Sequence, residues 1–407
     1  MAGIQSFADF YHGLGKAEHA TYQNRPNSKV RSEDAFEEQR DHLLKLYDGV
    51  EATHSFQDTA GQVFDCIRAD SQPAVLRSGK PLATPPPAPG ADVRPGKGLQ
   101  VLHAARQDGH GNAMACPEGF VAVRRVTLDE LTRFESMAHF LRKGPRHADR
   151  KKPEAPPDTP SAANATHNYA HASQAVSNLG GRSLFSVWSP EVGPRSVFSL
   201  SQHWYVAASE RGVQTAEVGW QVYPQKYGHA KPVLFSYWTA DGYHSTGSYS
   251  NDGHDFVQVS ATCPLGFALD HVSVVGGAQA ELDIAYFLSG GNWWLYVGGT
   301  APENAIGYYP ASQYAPGPMT SGALKVDFGG ETCTNAVFPP MGSGAFAAGG
   351  YRQSAYHRNI QYFDANGAVQ TADLVASEQW PDSYTIELQN AGDWGEYFYY
   401  GGPGRPA

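Results

Sequence analysis

Charge, cysteine and uninterrupted apolar stretches are all scarce in this sequence, and each scarcity closes off a class of protein. Charged residues make up only 17% of the 407 positions and sum to −10. That leaves no clustered basic face for nucleic-acid phosphates, so no nucleic-acid partner is expected. Nowhere do about 18 to 20 apolar residues run together, and no membrane partner is expected either. The opening Met1-Ala2-Gly3-Ile4-Gln5-Ser6-Phe7 has no basic stretch leading into an apolar one, so an export signal is expected to be absent or already removed. The four cysteines, Cys66, Cys116, Cys263 and Cys333, show no C-x-x-C spacing. A zinc or thioredoxin-type site is therefore not expected, whereas an even count permits two disulfides in three connectivities. Gly-x-Ser-x-Gly and His-Glu-x-x-His are missing as well, which removes the serine-hydrolase elbow and the zincin helix.

Glycine (44), proline (28) and aromatic residues (12%) are plentiful. This is too much punctuation for a helical bundle and suits short strands joined by turns. Helical spacing does occur near the start, where Phe36, Leu43, Leu44 and Tyr47 share a face after Ser32 and Gly49 is placed to stop the helix. Thr127-Leu128-Asp129-Glu130 forms a capping box for a second helix through Leu131 and Phe134, and the proline-rich Thr84 to Gly90 must be a loop. Composition breaks sharply between Arg142 and Ala165, a run with Lys143, Arg146, Lys151, Lys152 and then Pro153, Pro156, Pro157 and Pro160. It predicts an exposed linker over 142–165 between a smaller α+β unit, 1–141, and a larger unit, 166–407. In the larger unit, Leu184 to Trp188, Phe256 to Val259, Leu282 to Ile284 and Trp293 to Val297 alternate with a period of two. The expected fold class is mainly β, an antiparallel sandwich of two sheets.

Two of its strands carry carboxylates where a core would reject them. Along Thr215 to Val222, the side chains of Ala216, Val218, Trp220 and Val222 share one face, leaving Glu217 with Thr215, Gly219 and Gln221 on the other. Along Leu324 to Glu331, Leu324, Val326 and Phe328 point inward, and Lys325, Asp327, Gly329 and Glu331 outward, provided the Gly329-Gly330 pair forms no bulge. Each glutamate has a glycine beside it on its own face, Gly219 or Gly329, which would let a peptide backbone approach. The bland reading of both is a solvated strand residue.

A resemblance covering nearly the whole chain favours the sharper reading. Glu217-Val218-Gly219-Trp220-Gln221-Val222, Phe235-Ser236-Tyr237-Trp238-Thr239, Gly291-Asn292-Trp293-Trp294-Leu295, Ile306-Gly307-Tyr308-Tyr309-Pro310 and Gly329-Gly330-Glu331 occur in that order. Met341-Gly342-Ser343-Gly344, Ala355 to Ile360 and Gly392 to Gly404 follow, and Asp65-Cys66-Ile67 and Cys116-Pro117-Glu118-Gly119 precede them. Together they resemble the neprosin family of glutamic peptidases. The resemblance implies an antiparallel β-sandwich that cuts proline-containing peptides and proteins after proline, with Glu217 and Glu331 as catalytic pair. It implies no cofactor and no metal, a secreted enzyme, and an N-terminal domain that acts as intramolecular inhibitor of a zymogen. Substrate contacts are expected from Gly219, Gln221, Trp238, Tyr249 and Gly329, with Trp293 and Trp294 as further aromatics of which at least one belongs to the core. The family's plant members commonly have a cysteine pair where this chain has Ser248 and Gly253. Cys263 and Cys333 are candidates for a replacement bridge, or are two separate buried thiols, and Cys66 with Cys116 is a candidate staple of the N-terminal domain.

The chemistry stands on its own. Hydrolysis of an amide by two carboxylates needs one ionised to take a proton from water and one protonated to polarise the carbonyl and protonate the leaving nitrogen. Two adjacent glutamates resist ionising together, so the pair shares a proton in acid, and activity there follows. Glu331 is assigned as base and Glu217 as acid. Asp58-Thr59-Ala60 looks like half of an aspartic-protease motif but lacks a second half. His167 with His171, or His254 near Asp252 and Asp255, are the only metal-ligand pairings of note, and surface residues are the commoner explanation. A non-catalytic carbohydrate-binding sandwich and a two-carboxylate glycosidase are the rival functions.

Overall fold

The computed structural model describes residues 3–90, 107–143, 166–334 and 336–406. The proline-rich part of the expected linker and the Asn164-Ala165-Thr166 sequon fall wholly or partly outside them.

The N-terminal unit is built from helices α1 (Phe7–Leu14), α2 (His19–Tyr22) and α3 (Glu33–Leu46), followed by strands β1 (Ala52–Gln57) and β2 (Val63–Arg68) and helix α4 (Pro73–Ser78). Strand β3 (Phe120–Arg124) and helices α5 (Leu128–Leu131) and α6 (Met137–Leu141) complete it, with the strands forming an antiparallel β1-β2-β3 sheet. Ser32 caps α3 by accepting from the Ala35 N–H, and Glu33 and Asp34 favour its positive N-terminal end. The helix closes at Tyr47, two residues short of the left-handed Gly49. The Thr127–Glu130 capping box is present, yet α5 lasts a single turn. The Thr132 hydroxyl donates back to the Leu128 carbonyl there, and Phe134 lies beyond the helix end rather than within it. A disulfide joins Cys66 to Cys116.

The larger unit is the expected sandwich. Strands β4 (Thr166–Asn178), β5 (Gly180–Ser186), β6 (Ser196–Ser209) and β7 (Gly212–Val222) are followed by a one-turn helix, α7 (Pro224–Tyr227). Then come β8 (Val233–Thr239), β9 (Ser248–Tyr249), β10 (Val257–Gln258), β11 (Glu281–Ser289), β12 (Asn292–Val297), β13 (Ala305–Pro310) and β14 (Ala323–Thr334). One sheet runs from the strand Val375–Glu378 through β4, β14, β6, β7 and β8 to β9. The other runs β10-β13-β12-β11-β5 and on through Ala355–Phe363, Glu396–Gly401 and Thr385–Asn390. Between them lies one apolar core in which Val218, Trp220, Val326 and Phe328 meet Leu282, Ile284, Trp293 and Leu295.

The alternation predicted for β7 and β14 therefore holds where it matters. Gly329 and Gly330 pair in unbroken register with His171 and Ala170, so no bulge reverses the face of Glu331. Leu324 is an exception. A register shift between Ala323 and Lys325 turns it out of the core, and it is exposed. Cys263 and Cys333 are separate free thiols, half-buried and buried respectively, so the replacement bridge is not formed.

The N-terminal unit covers the outer face of the β4–β9 sheet. Phe7, Phe36, Leu43, Phe134 and Phe140 join Phe198, Leu200, Trp204, Tyr223, Phe235 and Tyr249 in a second apolar cluster. Its segment 69–90 reaches around to the other sheet, where Ala74, Val75 and Ala88 pack on Val257, Trp294, Tyr296 and Tyr308. Trp294 is thus covered from outside, whereas Trp293 is core. Among the described residues no helix is long and apolar enough to cross a membrane.

Candidate active site

Glu217 stands on β7 and Glu331 on β14, with β6 between them: Glu217 pairs with Trp204 and Glu331 with Leu200. Both face away from the sandwich core. Both are nevertheless fully buried, because the N-terminal unit lies over them. Simple solvated strand residues would not need the partners these two have. The Thr215 and Tyr243 hydroxyls donate to Glu217 Oε1 at 2.8 and 2.7 Å, and Gln202 Nε2 donates to its Oε2 at 2.9 Å. Glu331 Oε1 accepts from His167 Nδ1 at 2.6 Å.

The remaining interaction joins the two. Lys143 Nζ bonds Glu217 Oε2 and also Glu331 Oε2, the latter at 2.7 Å. One nitrogen thus bridges an oxygen from each carboxylate, and the indole of Trp204 lies 5.4 Å from it. Lys143 was expected in the exposed linker. It is buried instead, because two carboxylates withdrawn from water require a compensating cation and it is the one that reaches them.

The electrostatics of the two glutamates differ. Burial alone would raise the Glu331 carboxyl, but the Lys143 charge and the His167 hydrogen bond and charge outweigh it and lower its pKa to about 2. Burial likewise opposes charge on His167, yet Cys333 and Glu331 push that ring up to about 10. Lys143 is raised above its ordinary value by Glu217 and Glu331 against the opposing effect of burial. Besides Lys143, Glu217 accepts from the neutral side chains of Gln202, Thr215 and Tyr243.

Sequence comparison places the chain in a family. The Neprosin family matches residues 195–403, about half of the chain, and the Neprosin activation peptide matches residues 55–173. The chain belongs to the neprosin family. It is a peptidase that carries its activation peptide ahead of the peptidase domain, in zymogen form. Two crystal structures of scytalido-glutamic peptidase also match, one with a transition state analog inhibitor and one with a peptide-based transition state analog. Their identities are 7% and 9% and their TM-scores 0.33 and 0.34, and each match covers 58% of this chain and 98% of that chain.

Of the other residues singled out in this neprosin-family chain, Gln221 and Tyr249 lie on the glutamates' side of the sheet, with Gln221 Nε2 donating to the Tyr249 hydroxyl at 3.2 Å. Trp238 does not. It is opposite Ala216, in the core between the sheets, where it contacts Tyr309 and Tyr314 and donates to Asp255. The glycines serve a different purpose from the one expected. A Cβ on Gly219 would strike the Ser201 carbonyl and Gln202, and one on Gly329 would strike Ala170 and His171. Their missing side chains make room for the neighbouring strands β6 and β4 rather than for a ligand.

Asp58 is a tether, accepting from the backbone N–H groups of Ala60, Gln62 and Ala268. His171 bonds Asp327 at 2.7 Å, and His254 meets the His42 ring across the boundary between the two units. Thr215, Gln202, Tyr243 and Lys143 were not anticipated. Thr215 was legible in principle, since it shares the strand face of Glu217 two positions away. Tyr243 and Lys143 arrive from a loop and from another unit, with no local signal.

Proposed function

We propose that this chain is the zymogen of an acid-active glutamic endopeptidase that cuts peptide bonds preferentially after proline, secreted to an acidic exterior. The observation that carries the reading is the single nitrogen held between Glu217 and Glu331. Two carboxylates that converge on one polar atom can equally hold a water and a scissile amide once that atom leaves. Glu331 is the water-activating base, because a cation beside it favours its ionised form. Glu217 is the acid of the pair, whose proton polarises the carbonyl and then passes to the leaving nitrogen. Proline preference rests on the family motifs. Trp204, beside the Lys143 ammonium, is the aromatic face best placed to meet a proline ring, in place of Trp238.

Glu217→Gln and Glu331→Gln are each expected to lower cleavage of a proline-containing peptide by on the order of a hundredfold or more, since an amide cannot shuttle the proton. Circular dichroism should be unchanged. Substantial cleavage by either processed variant, or a rate optimum at or above pH 7, would rule the mechanism out.

A further inference from the structure

We propose that His167 is a positioning residue for Glu331: it fixes the carboxylate's orientation and keeps it ionised after Lys143 has left the site. The inference rests on the two-glutamate reading above.

Lys143 belongs to the N-terminal unit and departs with it, but His167 does not. His167 lies on β4 and Glu331 on the adjoining β14, so their 2.6 Å contact is internal to one sheet of the sandwich, although the activation-peptide match extends as far as residue 173. The ring is held from more than one side. Its register partner on β14 is Cys333, whose Sγ lies 3.7 Å from Nε2, and the Phe198 ring packs edge-on at 5.7 Å. With Nε2 turned to the thiol, Nδ1 is the nitrogen left to donate to Glu331 Oε1. That bond leaves Oε2, the oxygen now on Lys143, as the one that can take a proton from water.

The other titratable groups facing Glu331 are Lys143 and Glu217 across the site, Tyr169, its register partner on β4 and hydrogen-bonded to it, Tyr243, and Cys333 on its own strand. None of these except Lys143 brings a positive charge. Once Lys143 is gone, His167 is the remaining cation in contact with Glu331 among the described residues. A base that must be ionised in acid needs such a neighbour, because burial and the second glutamate both push it toward protonation. His167 also lies just after the expected linker, so an activating cut has to leave it on the mature chain.

The test uses His167→Leu, which removes donor and charge, and His167→Asn, whose amide can donate from the Nδ1 position without charge. Each full-length variant is processed by an added protease whose site is introduced within 144–165, beside wild type, Glu217→Gln and Glu331→Gln. In His167→Leu, kcat should fall on the order of tenfold to a hundredfold, with KM within about twofold, as part of what a general base supplies. The acid limb of the kcat profile should move up by about one pH unit or more in both variants, because the charge that favoured ionisation is gone. His167→Asn should recover most of the rate at its optimum. Unmoved acid limbs, a rate loss uniform across pH that follows a lower melting temperature, or no recovery in His167→Asn would overturn the proposal. Activity surviving in Glu331→Gln would instead overturn the two-glutamate reading itself.

Discussion

Lys143 places an ammonium where the proposed reaction needs a water, and this makes it the most direct handle on latency. Removing one partner of a buried charged cluster costs about 3–5 kcal/mol, because the remaining charges stay buried without compensation. Lys143→Gln should therefore weaken the seating of the N-terminal unit, and the pH at which half the protein converts should rise above that of wild type. A gel time course across a pH series measures this, and an unchanged midpoint would make Lys143 a bystander. The glutamates themselves were legible from sequence. Strand parity put Glu217 and Glu331 on the outer face, and the Gly-Trp and Gly-Gly-Glu motifs selected them among other outward carboxylates such as Asp327. Lys143 was not legible, for a physical reason. A lysine in a run of basic residues and prolines has the composition of a solvated linker, and only tertiary threading converts it into a counter-ion. The same limit explains Trp238. An aromatic residue on a β-strand reads alike on either face until the register of its partner is known, and Ala216 proved to be that partner.

Among the elements, β7 and β14 were readable because their cores alternate without interruption, while Leu324 was misplaced because a register shift lies outside what a period of two can reveal. Helix α5 was read as longer than it is. Its capping box is a local signal, but its end depends on where the Thr132 hydroxyl finds an acceptor. The β1-β2-β3 sheet is small, and its staple matters accordingly. The Cys66–Cys116 disulfide closes a sequence separation of 50 residues across that sheet. Replacing both cysteines by serine is expected to cost the N-terminal unit about 2–4 kcal/mol. Limited proteolysis of the intact zymogen at neutral pH should then cut within residues 52–124 before any cut in the peptidase domain. Equal resistance in the variant and the wild type would show that apolar packing against the larger unit suffices without the bond.

The two units of the molecule are joined by charges that respond differently to acid. Glu331 has its pKa lowered to about 2 in the folded protein, so its contribution is full above the ordinary carboxylate pKa of 4.5 and is lost progressively as the pH falls from there to about 2. Protonation of that dyad partner is therefore not the trigger at milder acidity. The His42–His254 pair has the right range. Burial, with His42 and Arg77 adding to it, lowers His254 to about 3, and burial lowers His42, whose other charged neighbours are Asp252, Lys45 and Glu38. Folded-state values below the ordinary 6.5 mean that stability is full above that pH and is lost as the pH falls below it, for His254 progressively toward about 3. His42→Gln and His254→Asn, asparagine being suited to the left-handed backbone at 254, should both shift conversion to lower pH. Conversion at the wild-type pH in both would exclude the pair as sensor. Conversion itself should yield a product beginning between Arg146 and Thr166, as read by N-terminal sequencing. Cutting there is not expected to free the enzyme at neutral pH by itself, however, because segment 69–90 is fastened to the opposite sheet and leaves only in acid. Tyr296 donates to the Pro86 carbonyl at 2.6 Å, Ala88 N–H donates to the Thr300 carbonyl at 3.0 Å, and Gln72 donates to the Gln258 carbonyl at 2.8 Å. The severed domain is then expected to stay bound and to inhibit in its own right. Activity after the cut is governed by how fast it dissociates, so it grows on dilution and is suppressed again when the excised domain is added back at neutral pH.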